Sequence, residues 1–200
     1  PSSISNPDWI DVESDLSSAF QRASREDFSL ALSKSNLDVF LPLVNTLYGE
    51  SSTLFYDDFC TLLSEEGSQQ GCPLGGLLFV MSIASIAEGV AQRYPSVTIL
   101  GYADDYRFIG PWRDAMDAAL EYRHLVVAAG HVDQTEKAWA FSLSPATIQE
   151  AKQHPLACVA SPDGDKLQFA QSDSGLRTVG APVGAPEYRR DWYKESVFCP

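Results

Sequence analysis

Two hundred residues, 44% of them hydrophobic, suffice for one domain with a real core. A formal net charge of −13 argues against a chain that binds nucleic acid by itself, because such affinity comes mostly from Lys and Arg neutralising phosphates. The longest apolar stretch, Leu77 to Val90, is interrupted by Ser82, Ser85, Glu88 and Gly89, so no membrane span is expected and the chain reads as soluble.

Position 1 is not Met and no signal peptide precedes the domain, which predicts an intracellular protein of nucleus or cytoplasm, not a secreted one. The opening residues run almost directly into a motif, as in a fragment of something larger. Ile10 to Glu13 reads as a short strand leading to Asp15. Ser24-Arg25-Glu26-Asp27 has the form of a capping box, and a helix through Phe28, Leu30, Ala31 and Leu32 follows from it. A second helix begins near Asn36, carries Val39, Phe40, Leu43, Val44 and Leu47, and stops at Gly49. A hairpin around Asp57-Asp58 comes next. The loop Gly67 to Gly76 opens a long helix, with Pro73 suited to its first turn. Apolar residues cover most of that helix's girth, which predicts a deep core position. A second hairpin, a helix from about Trp112 to Ala129, a strand over Ala138 to Leu143, a turn at Pro162-Asp163-Gly164 and a Gly-rich turn over Gly175 to Gly184 complete the chain. This alternation predicts a sheet layered with helices.

Cys60, Cys72, Cys158 and Cys199 show neither pairing nor ligand spacing, and His124, His131 and His154 are isolated, so surface or packing roles are expected. Chemistry concentrates in Gly101-Tyr102-Ala103-Asp104-Asp105-Tyr106, where two adjacent carboxylates sit between apolar runs at a hairpin tip. Adjacent anions repel unless a cation lies between them, and a hard divalent ion is the natural partner. Asp also favours turns for backbone reasons alone, and Tyr56-Asp57-Asp58 offers the same pair in the same setting. What separates the two is Asp15, which follows a strand. A sheet can set that strand beside the 104–105 hairpin. Three carboxylates then converge, enough for two divalent ions about 4 Å apart in an in-line phosphoryl displacement.

In order, Asp15-Leu16-Ser17-Ser18-Ala19-Phe20, then Gln70-Gly71-Cys72-Pro73-Leu74-Gly75-Gly76-Leu77-Leu78-Phe79, then Tyr102-Ala103-Asp104-Asp105 resemble the palm motifs of reverse transcriptases, those of non-LTR retrotransposons and group II introns above all. Leu47-Tyr48-Gly49, Lys137 after Gly130, and Val179-Gly180-Ala181-Pro182-Val183-Gly184 resemble further segments of that family. The resemblance covers roughly Asp11 to Tyr188. It implies an α/β (α+β) palm over residues 1–188, an antiparallel sheet packed on helices, with fingers and thumb largely missing and a tail, 189–200, leading toward the thumb. It assigns Asp57-Asp58 to an ordinary turn.

By that resemblance Asp15, Asp104 and Asp105 are catalytic and serve two Mg²⁺ ions, Asp15 and Asp104 as the principal ligands and Asp105 as an occasional or supporting one, with Mn²⁺ as the alternative. Lys137 supplies a proton or a charge to departing pyrophosphate; a solvated surface lysine is the bland alternative. Phe20, Gln70, Gly71 and Tyr102 line the nucleotide site, the Phe20 ring excluding a 2′-hydroxyl; a core aromatic is the alternative there. Gly180, Pro182 and Gly184 match the turn that grips the primer. Implied partners are an RNA template, a DNA primer, deoxynucleoside triphosphates and the remaining domains of a parent polyprotein, with no membrane. The chain departs from the pattern at Gly75-Gly76, where Ser-Pro or Gly-Pro is usual, and at Asp133-Gln134, where Leu-Asn or similar is common. The family's basic fingers surface would lie on missing parts, which answers the acidic charge and implies a weak or inactive fragment. A non-catalytic, domesticated scaffold or binding module is the second reading. A third is another palm enzyme, such as a nucleotide cyclase or an RNA-templated RNA polymerase.

Overall fold

A computed structural model describes residues 8–55, 61–69, 71–158, 166–171, 175–178, 181–184, 187 and 190–191. In chain order the elements are β1 (Trp9–Ser14), β2 (Leu16–Ser17), α1 (Arg25–Ser33), α2 (Leu41–Tyr48), β3 (Ser52–Phe55), β4 (Thr61–Ser64), α3 (Gly75–Arg93), β5 (Thr98–Tyr102), β6 (Asp105–Pro111), α4 (Trp112–Ala128), β7 (Val132–Asp133), β8 (Trp139–Ser142), α5 (Pro145–Ala151), α6 (Pro155–Cys158), β9 (Gln168–Gln171), β10 (Gly175–Thr178) and β11 (Ala181–Gly184). They form an α+β fold, an antiparallel-dominated sheet packed on helices, as expected. The described residues fall into two compact units, one drawn from 1–15, 90–123 and 133–200, the other from 16–89 and 124–132.

The first unit is built on a five-stranded sheet in the order β5-β6-β1-β8-β9. Period-two alternation makes β1 a strand with one covered face: Ile10, Val12 and Ser14 are buried, while Trp9, Asp11 and Glu13 point the other way. β6 alternates likewise, burying Tyr106, Phe108 and Gly110. The two pair antiparallel from Trp9↔Pro111 to Ser14↔Tyr106. Helix α4 covers the buried face, stacking Tyr122 on Tyr106 at 4.8 Å and tilting it against Phe108 at 5.3 Å. Burying a ring such as Phe108 stabilises the fold by about 1.5–3 kcal/mol. β8 and β9 run parallel, an exception to the expected antiparallel pattern. Helices α5 and α6 were not expected from the sequence; Ser144 caps α5 by accepting from the Thr147 amide.

In the second unit the capping box is realised. Ser24 Oγ accepts from the Asp27 amide at 3.1 Å and α1 follows, with Phe28 and Leu32 buried. The second expected helix resolves into a 3₁₀ turn, Asp38–Phe40, and α2. Only Val44 and Tyr48 of α2 are buried; Val39, Leu43 and Leu47 are exposed, because so short a helix can turn only one narrow stripe inward. β3 and β4 pair as expected. Their connection, with Asp57 and Asp58, lies outside the described residues, as does the expected turn at Pro162-Asp163-Gly164.

Helix α3 departs from its expected deep burial. Leu78, Phe79, Ser82, Ile83 and Val90 are buried, whereas Leu77 and Val80 are exposed, so one face alone is covered. By length and composition α3 could cross a membrane, contrary to the expectation that no segment reaches that measure; a core helix of a folded domain meets it too. Near the C-terminus, β10 and β11 pair antiparallel, which places Pro182 and Gly184 in a strand, not a turn; Gly180 and most of 189–200 lie outside the described residues.

Candidate functional site

The β1–β6 register decides where Asp15 goes. Ser14, the last residue of β1, is opposite Tyr106, so Asp15, which follows it, leaves the strand beside Asp105. The β5–β6 hairpin closes on the pair Tyr102↔Asp105, leaving Ala103 and Asp104 as its two turn residues. Asp105 therefore begins β6 and is not part of the turn proper. Ala103 adopts φ +53°, a left-handed backbone where two-residue hairpins usually place Gly or Asn, and such strain concentrates at functional turns. Gly101 is required for packing: a Cβ there would stand 2.8 Å from the Tyr106 ring. Tyr102, opposite Asp105, is 71% exposed.

The three carboxylates feel one another. Burial raises the pKa of Asp105, Asp104 and Asp15 raise it further, and Lys137 opposes them. Lys137 Nζ lies 3.6 Å from Asp15 Oδ2. Asp15 is also held through its backbone, its carbonyl accepting from the Gln134 amide at 2.9 Å. Carboxylate-only donors and like-charge crowding fit a hard divalent cation. Among the described residues, however, no three acidic, histidine or cysteine side chains are grouped as a ready metal site.

Next to the carboxylates in the same face of the sheet, Arg107 grips Asp11 through two bonds, one of them Nε to Oδ1 at 3.1 Å. Burial still raises the Asp11 pKa, the guanidinium offsetting only part of that cost. On the opposite face the Tyr122 phenol is pushed up by burial and by Tyr106, Asp104 and Asp133, in that order, so it stays protonated at any physiological pH.

Phe20 and Gly71 belong to the second unit and share a cleft of about 210 Å³ with Gln69, Cys72, Gly75 and Gly76. Gly71 sits at φ +88° with open space around it. Phe20 is half-buried and lies 5.0 Å from the Phe79 ring, so the expected wall residue is also a packing residue. The cleft's loop is tied down: the Gly67 amide donates to the Ala23 carbonyl and the Ser68 amide to the Phe20 carbonyl, both at 2.9 Å, and the Gln69 amide to Tyr48 Oη at 3.2 Å. Arg25 adds bonds to the carbonyls of Gly67, Ser64, Glu66 and Glu50 and to Ser64 Oγ. Gln70 lies outside the described residues.

No family model and no curated protein matches the chain. The fold is similar to that of a telomerase. The structure of apo telomerase from Candida tropicalis, truncated from its C-terminal domain, matches with a TM-score of 0.52 over 66% of this chain at 11% identity. The match spans 30% of that telomerase chain, and at such identity it speaks to the fold alone.

The structure thus gathers Asp15, Asp104, Asp105 and Lys137 in one unit and Phe20 with Gly71 in the other. Sequence reading missed Asp11, Arg25, Arg107 and Arg123. Each has charged neighbours in the chain that give no hint of its partner, which is fixed only by a cross-strand register, a loop's return or the packing of a helix on the segment after it. The alternation that sets Asp11 and Arg107 on the same face of the sheet was the one available signal.

Proposed function

We propose that this chain is the palm of an RNA-directed DNA polymerase that joins deoxynucleotides to a primer end in retroelement replication. The observation that carries the reading is the β1–β6 register, which brings Asp15, distant in sequence, to the Asp104-Asp105 hairpin with Lys137 beside it. The fold likeness to a telomerase supports the palm-like fold that this reading needs.

Asp15, Asp104 and Asp105 are the residues that would hold divalent cations of the Mg²⁺ or Mn²⁺ kind. Such ions, once bound, would polarise an attacking oxygen and stabilise a leaving one. Lys137, 3.6 Å from Asp15, is the residue that would offer a charge or a proton to a departing phosphate. By their motifs, Phe20, Gln70, Gly71 and Tyr102 are assigned to the deoxynucleotide, and Gly180, Pro182 and Gly184 to the primer. The RNA template and the remaining domains of a parent polyprotein complete the proposal.

The charge of −13 favours a second reading: a non-catalytic palm kept as a binding module. Primer extension on an RNA template, with Mg²⁺ and with Mn²⁺, separates the two. The polymerase reading expects extension, in the full-length parent if not in this chain, that Asp104→Asn abolishes. Extension by neither protein supports the binding module.

A further inference from the structure

The segment that delivers Lys137 is held from behind. Arg123, in the last turns of α4, is 9% exposed. Its Nε lies 3.1 Å from Asp133 Oδ2, and its Nη2 donates to Thr135 Oγ1 at 2.7 Å. Thr135 Oγ1 in turn donates to Asp133 Oδ2 at 2.6 Å, closing a three-membered buried network. The side chains of the ion pair are 11% and 7% exposed, so neither charge can leave without stranding the other. A planar guanidinium fixes direction as well as distance, which a lysine would not.

What this network brackets is Gln134. Its amide is the donor to the Asp15 carbonyl, and its own carbonyl accepts from the Lys137 amide at 3.0 Å. Residues 135–137 form a 3₁₀ turn that ends on Lys137. A cavity of about 10 Å³ borders the network, lined by Arg123, Asp133 and Thr135 together with Ser14, the neighbour of Asp15. Ser14 Oγ is buried there with no hydrogen-bond partner among the described residues. The contacts therefore run without a gap from Arg123 to both the backbone and the carboxylate of Asp15.

We infer that Arg123 is a positioning residue: by gripping Asp133 and Thr135 it fixes residues 133–137 and thereby holds Lys137 against Asp15. The geometric part stands by itself; its effect on nucleotide transfer rests on the proposed function. Removing one charge alone would leave the other buried and unpaired, so the test replaces both, as Arg123→Met with Asp133→Leu, a swap that buried pairs often tolerate. Arg123→Lys is the second variant, keeping the charge and losing the fork.

Amide exchange on the whole chain is read at Gln134, with the Ala119 amide in α4 as the internal reference. In both variants the Gln134 amide is expected to exchange about tenfold faster or more, with Ala119 unchanged. Equal protection at Gln134 in wild type and both variants overturns the proposal. In primer extension, the double variant is expected to lower kcat about tenfold with KM for deoxynucleotide held. In a Lys137→Ala background the same replacement should cost less than about twofold, because both changes act through one group. Independent, multiplying losses overturn the coupling to Lys137. If wild type extends no primer, the proposed function falls and the exchange result alone decides the positioning role.

Discussion

Asp105 is pressed from two directions, by burial first and then by the charges of Asp104 and Asp15. Its folded-state pKa lies above the model-peptide value of 3.8, so its contribution to stability is full below that value and is lost as pH rises through the raised one. At neutral pH the ionised carboxylate works against folding. Asp105→Asn should therefore melt higher than wild type at pH 7 without divalent ions, and the gap should shrink toward pH 4. Thermal melts across that range check it. Added Mg²⁺ should raise the wild-type midpoint more than that of the variant, and a gap independent of both pH and Mg²⁺ would contradict the crowding. The same repulsion that weakens the free fold is what gives a cation something to relieve.

At the scale of elements, the loop that opens α3 is set by one side chain. Arg25 closes its bonds on carbonyls of the β4 end and the following loop, and stacks over Tyr48 at 5.4 Å. Each such bond carries a charged donor, and its removal strands carbonyls in a partly covered loop. Arg25→Ala is expected to destabilise the chain by about 2–3 kcal/mol, read as a fall in the urea midpoint at constant slope. Arg25→Lys should recover only part, because a point charge cannot span several acceptors. If Arg25→Ala left the midpoint unchanged, the loop would be held by its backbone bonds to Phe20 and Ala23 alone. This clamp was hidden in the sequence. Arg25 stands in the capping box and is there only a helix residue; its partners at Ser64, Glu66 and Gly67 lie about forty positions downstream, brought near by the β3–β4 return.

At the scale of the molecule, 27 acidic residues against 14 basic ones leave little to neutralise a phosphate backbone. This chain by itself should bind an RNA–DNA duplex weakly at 150 mM salt, with a shallow dependence of affinity on salt concentration. Fluorescence anisotropy over a salt series measures both, and a steep slope would show a basic surface that composition hides. Local patterns fixed much in advance. The alternation in β1 and β6, the Ser24 cap, the Gly49 stop and the 112–128 helix are short-range facts, legible because side-chain period and capping act within a few residues. Candidate site residues could be read singly for the same reason, since turn chemistry and motif order are linear. Only the tertiary structure decided that Asp15 meets the 104–105 hairpin, that α3 covers one face and not its girth, and that Arg123 stands behind Lys137. Pairing register, burial and buried ion pairs join residues far apart in the chain, and no local preference encodes which distant partner will arrive.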